Sequence, residues 1–111
     1  MATWKTVLKI GGVLPETTAE RWYGTPSMKV GGKGFVRQRP ESDEVVAVRS
    51  AEKEILLAAA PETYYETDHY RGTDWLLVRL PKISEKELRE VMTDAWRLCA
   101  PPKVRRAHPD V

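Results

Sequence analysis

Cysteine and histidine are scarce in this chain of 111 residues, which holds one thiol, Cys99, and two imidazoles, His69 and His108. A single thiol excludes an internal disulfide, so a secreted disulfide scaffold is ruled out and a reducing, cytoplasmic setting is expected. The same scarcity leaves no ligand cluster at metal-binding spacing, so neither a metal nor a cofactor is expected. Long apolar runs are missing too: no window approaches the roughly 20 apolar residues that a membrane span requires. "MATWKTVLKIGG" is too short and too polar for an export signal, so no membrane partner is expected. Nor is there a strong charge imbalance. Eighteen basic against 16 acidic residues leave a formal charge of +2, so attraction to a polyanion must come from local arrangement.

A catalytic signature is also lacking. Ser50 and Ser84 occupy cap positions, Ser27 precedes a strand, and Cys99 lies on the apolar stripe of a helix, where free cysteine behaves as a small buried residue. Glu41, Asp43 and Glu44 form a solvent-facing turn rather than an acid-base pair, and His69 has no matched nucleophile or second base. The chain is expected not to be an enzyme.

What is present is a globular pattern. Hydrophobic residues make up 41% of the chain and recur at short intervals, enough for one core in one domain. Trp4, Val7 and Leu8 predict a short first helix that Gly11 and Gly12 end. "RWYG" reads as a short aromatic strand. "SMKV" and "KGFVRQ" flank Gly31-Gly32, the pair that a two-residue hairpin needs because both positions take positive φ. "VVAV" is a further strand, and Ser50 is placed to cap a helix over "AEKEILLAAA", which Pro61 stops. "YYET" and "WLLVRL" are the last strands. Ser84 and Glu87 stand at capping-box spacing before a long helix with the stripe Leu88, Val91, Met92, Ala95 and Cys99. The expected boundaries are a domain over 1–102 and a basic, mobile tail over 103–111. Hairpin-joined strands with helices around them argue for an α+β class, a two-layer α/β sandwich with a mainly antiparallel sheet and about three helices.

Strand parity adds a clue about the sheet. Leu76, Val78 and Leu80 should oppose Trp75, Leu77 and Arg79; Val46 and Val48 should oppose Val45, Ala47 and Arg49; Lys33, Phe35 and Arg37 should lie together. One face then mixes aromatics with arginines. The favoured reading is that Arg37, Arg49 and Arg79 snorkel from a helix-covered layer; the other is a surface that stacks bases and meets phosphates. "GGKG" at 31–34 is not a phosphate cradle, since no helix opens there and no Ser or Thr follows the lysine. A hairpin tip with Lys29 and Lys33 does have the shape of a wing that lies along a phosphate backbone.

The densest cluster of polar chemistry is "TDHYRGTDW" at 67–75. It reads first as a corner, with Asp68 accepting backbone N–H bonds, Gly72 at positive φ and Tyr70 packing its ring. Its second reading is a shallow pocket. There His69, Tyr70 and Arg71 join Trp22, Tyr23, Lys29 and Trp75, so that cations meet an anion and the aromatics stack.

Three motifs together resemble the MmcQ/YjbR family of small bacterial proteins: Tyr23-Gly24-Thr25-Pro26 with Lys29 and Gly31-Gly32-Lys33; Thr67 to Gly72 followed by Trp75; and Ala95-Trp96-Arg97-Leu98. The resemblance covers about Trp4 to Pro101 and implies a double-wing, CyaY/frataxin-like sandwich. It also implies a DNA-binding label that rests on fold analogy, and no catalytic residues. Gly34 departs from the family's larger apolar residue, which implies a looser hairpin.

Two functions follow as expectations. The first is a DNA-binding protein that contacts backbone phosphate through Lys29, Lys33, Arg37, His69 and Arg71, with salt-dependent affinity. The second is a module for a protein partner or a small anion, built on the pocket of Trp22, Tyr23, Tyr70 and Trp75. The chain is expected as a monomer.

Overall fold

Six strands form one antiparallel sheet in the order β1-β2-β3-β4-β6-β5 in the computed structural model, which describes residues 2–111. The strands are β1 (Thr17–Trp22), β2 (Thr25–Val30), β3 (Lys33–Arg39), β4 (Ser42–Arg49), β5 (Tyr64–Tyr65) and β6 (Trp75–Arg79). Helices α1 (Trp4–Val13), α2 (Lys53–Ala59), α3 (Glu85–Cys99) and α4 (Pro102–Ala107) complete a single α+β domain. This is the expected class, with one helix more than expected.

Local chemistry explains the hairpins. Both two-residue tips of β1–β2 and β2–β3 carry positive φ at both positions: 54° and 81° at Tyr23 and Gly24, 58° and 80° at Gly31 and Gly32. That geometry matches the twist of the flanking strands. Gly31 serves a second purpose, because a Cβ there would lie 2.5 Å from the Pro101 ring.

The core lies between the sheet and helices α1 and α3. Val30, Phe35, Val36, Val46, Val48, Leu76 and Val78 meet Val7, Ile10, Leu88, Met92, Ala95 and Trp96 there, all buried. Ser84 Oγ accepts from Glu87 N at 3.1 Å, so the cap of α3 forms as expected. Glu87's carboxylate turns instead to the buried Tyr64 hydroxyl, and burial with that neighbour pushes the Tyr64 phenol above its ordinary range. Trp96, buried beside the stripe, donates from Nε1 to Pro15 O at 2.9 Å. Cys99 is buried as expected, and burial raises its thiol pKa.

Several expectations need correction. Helix α1 runs through Gly11 and Gly12, because Gly11 has no Cβ to overlap Met28 Sδ and so lets the helix press on β2. Helix α2 begins at Lys53, and Ser50 Oγ accepts from Glu52 N at 3.2 Å one turn earlier. Residues 103–111 do not form a structureless tail: α4 spans Pro102–Ala107, Val104 and Val111 pack on the core, and His108 Nε2 sits 3.0 Å from Glu16. Three apolar residues, Val104, Ala107 and Val111, are too few over this stretch to establish a period.

The parity of β3 also changes along its length. Met28 pairs with Val36 and Lys29 with Gly34, so Phe35 is an extra residue in a bulge. Phe35 and Val36 therefore both face the core, and Arg37 emerges on the opposite face. Lys33 pairs with Val30 on the helix side, away from Arg37. The parity of β4 and β6 holds as expected.

Residues 67–73 form a corner held from α2. Thr67 O accepts from Tyr70 N at 3.0 Å and from Arg71 N at 3.1 Å, a 3-10 turn spans Asp68–Tyr70, and Gly72 has φ 82°. Lys53, only 6% exposed, donates from Nζ to Tyr70 O at 2.9 Å and Thr73 O at 3.1 Å, and pairs with Glu66 at 2.9 Å. The Asp68 side chain, expected to accept backbone N–H bonds, accepts none; its exposed carboxylate pairs with the exposed Arg71 guanidinium at 3.1 Å, while its carbonyl accepts from Arg71 N at 3.3 Å.

Lys53→Met should therefore lower stability by about 3 kcal/mol, since it strands Glu66 and two carbonyls. Arg71→Ala and His69→Ala, both at exposed positions, should stay within about 0.5 kcal/mol of the parent. Denaturant melts of the three variants test the division. Removal of residues 103–111 should cost about 1–2 kcal/mol through lost Val104 and Val111 packing, and an unchanged melt would restore the mobile-tail reading.

Candidate functional site

Among the described residues, the second face of the sheet carries no long helix. Ala47, Tyr70 and Leu77 form a small buried cluster there, flanked by Val45, Tyr65 and Trp75, and the 68–70 turn is its main cover. Around that cluster each aromatic ring has a cation over it. Arg37 lies 5.5 Å from the Trp22 ring centre and 5.8 Å from Tyr23, Lys29 lies 5.9 Å from Trp22, and Arg39 lies 5.1 Å from Tyr70. Arg49 lies 4.2 Å from Trp75 and Arg79 lies 4.0 Å from Tyr65. The arginines do lie with aromatics on one face, but that face is open rather than helix-covered, because the Phe35 bulge sends the large apolar residues of β3 to the other side.

A cleft of about 310 Å³ opens on this face. Ala47 is its floor, a small residue that leaves room above β4; Trp22, Tyr70 and Trp75 are its walls; Arg37, His69 and Thr73 complete it. Trp22 and Trp75 have ring centres 5.8 Å apart, tilted 46°, and Tyr70 lies 6.5 Å from Trp75. Trp22 reaches the cleft across β2 because Gly34 makes room: a Cβ at Gly34 would be 2.7 Å from the Trp22 ring. The departure at Gly34 is thus filled by an indole and does not leave a slack hairpin. His69 stacks edge-on against Tyr70 at 4.8 Å.

Charge on the face is mostly balanced by carboxylates. Arg39 pairs with Glu41 at 3.0 Å and donates to the Tyr70 hydroxyl, Arg49 pairs with Asp74 at 2.6 Å, and Lys29 lies 3.9 Å from Glu20. The Arg39 hydrogen bond holds the Glu41 carboxyl below its ordinary range. Arg79 donates to Pro61 O at 3.2 Å instead of a carboxylate and does not line the cleft. Arg37 differs from all of these, since it lines the cleft, its Nε donates to Thr25 Oγ1 at 2.7 Å, and among the described residues no carboxylate forms an ion pair with it.

The candidate residues therefore divide. Trp22, Arg37, His69, Tyr70 and Trp75 converge on the cleft; Lys29 and Tyr23 stand at its margin beside Trp22. Lys33 lies on the helix side of the hairpin, and Arg71 points from the corner toward Asp68. Arg39 and Lys53 were not singled out from sequence. The polar turn after Arg39 hid the first, and a lysine in a helix-forming run reads as solvent-exposed. Among the described residues no group of three or more His, Cys, Asp or Glu side chains is placed to hold a metal ion. None of the helices is long and apolar enough to cross a membrane.

Comparison with known proteins agrees with the motifs. A family model described as YjbR matches residues 13–98. Proteins of Mycobacterium bovis and Mycobacterium tuberculosis, each called an uncharacterized protein, are 32% identical over 96% of this chain and 95% of theirs. The crystal structure of Deinococcus radiodurans protein DR2400, with family-model domain DUF419, superposes with a TM-score of 0.79 at 17% identity, covering 96% of this chain and 88% of that one. At that identity the likeness speaks for the fold alone. With the family model matching most of the chain and the mycobacterial relatives spanning nearly all of it, the chain belongs to the YjbR family.

Proposed function

We propose that this protein is a non-enzymatic binding module whose open sheet face takes a planar, anionic group. The ring enters between Trp22, Tyr70 and Trp75, and the anion meets Arg37 with His69 at the rim. The observation that carries this reading is the state of Arg37: a guanidinium over an indole, in the wall of an aromatic cleft, without the carboxylate partner that Arg39 and Arg49 have. Stacking then supplies area and the guanidinium supplies charge and direction. Ala47, buried in one cluster with Leu77, gives the ring an apolar floor.

Catalysis has less support. The only imidazole in the cleft touches a tyrosine ring, and Thr73 Oγ1 is spent on Tyr70 O at 2.7 Å. The wing reading, in which duplex DNA lies along Lys29, Lys33, Arg37 and Arg71, also has less. Those cations point to different sides of the molecule, and two of them already face carboxylates. A near-neutral chain adds little long-range attraction.

The test is a titration of the protein's tryptophan fluorescence with adenosine monophosphate, with adenosine and inorganic phosphate as the ring-only and charge-only controls. Saturable quenching is expected from the monophosphate, weaker from adenosine and absent from phosphate. Arg37→Gln should weaken the monophosphate about ten-fold while leaving adenosine unchanged. Equal response of the parent and Arg37→Gln would remove the reading.

A further inference from the structure

Tyr23 has no structural reason to be a tyrosine. It sits at the first position of the β1–β2 hairpin tip with φ 54°, a conformation that asparagine or glycine adopts readily and that costs a bulky side chain energy. The residue is 83% exposed, so the fold recovers little of that cost by burial. Strain of this kind concentrates where a side chain serves a ligand.

The ring's position gives it a partner. Tyr23 lies 5.9 Å from Trp22 with the planes inclined by 31°, just outside the cleft, and Arg37 lies within 6 Å of both rings. The cleft alone suits one planar group. Beyond it stand a second aromatic platform, a cation shared between the two, and Lys29 at 5.9 Å from the Trp22 ring.

We infer that the occupant of this face is single-stranded nucleic acid, with one base in the cleft, the next stacked on Tyr23, and the phosphate between them on Arg37. The inference rests on the reading of the cleft given above and extends it from one planar group to two in sequence. Aromatic platforms with interleaved cations suit unpaired bases, which expose their faces, and are of no use to a duplex, whose bases are already stacked. Because most cations on the face are already paired, stacking carries the affinity, and binding should fall only gently with salt.

Tyr23→Asn separates the possibilities, since asparagine followed by glycine is the preferred pair at such a tip. The variant should melt at or above the parent's temperature. Anisotropy of a short fluorescein-labelled oligodeoxynucleotide is measured for the parent and for Tyr23→Asn, with its duplex form and with adenosine monophosphate as a competitor. The parent is expected to bind the single strand at least ten-fold more tightly than the duplex or the monophosphate. Tyr23→Asn should lose about ten-fold for the strand and nothing for the monophosphate. Equal strand affinity in Tyr23→Asn, or a duplex bound as tightly as the strand, overturns the inference. Monophosphate binding that survives such a result leaves the cleft reading intact; loss of all binding removes both.

Discussion

One unpaired residue in β3 decides which side chains meet the helices and which meet solvent. By taking Phe35 out of register, the bulge lets two consecutive large residues enter the core and turns Arg37 to the other face. Without it, alternation would place Phe35 and Arg37 together, and a charged group would compete with a phenyl ring for one environment. Beyond Lys33 at its start, β3 then gives the helix-covered side only apolar side chains, Phe35 and Val36. The opposite side carries the aromatic and cationic residues around the small cluster of Ala47, Tyr70 and Leu77.

On that opposite side the corner at 67–73 is the second constraint. Lys53 reaches from α2 to two carbonyls of the corner, so Tyr70 stands where it does because a buried ammonium fixes the backbone beneath it. Tyr70 in turn receives the guanidinium of Arg39 and forms a wall of the cleft. His69 and Arg71, the two residues of the motif with the most evident chemistry, take no part in this support. The motif is thus divided: its interior is architecture and its exposed imidazole borders a binding surface.

How much of this was legible depends on the kind of signal. The hairpin at Gly31-Gly32, the strand of residues 75–79 and the stripe of α3 rest on local periodicity and turn chemistry, and all three stand as expected. The pocket reading of residues 67–75 grouped Trp22, Tyr70 and Trp75 without giving their arrangement. Parity in β3 failed because a bulge leaves no mark in composition, and α1 passed through two glycines because close packing on Met28, a tertiary matter, outweighed propensity. Docking of residues 103–111 was invisible for a related reason, since Val104 and Val111 show their value only against a surface assembled by distant segments. Arg37 was identified as a cation, but its lack of a carboxylate partner is a property of three-dimensional neighbours.

The separation of the two sheet faces has an evolutionary consequence. The main core lies with the helices, and outside the small buried cluster of Ala47, Tyr70 and Leu77 the open face carries half-buried residues that stack on one another. Selection can therefore rewrite the aromatic and cationic face of such a sheet while the fold persists. Relatives that share the scaffold at low identity are free to carry different chemistry on it, and a ligand identified for one is a hypothesis for the next until its own face has been read.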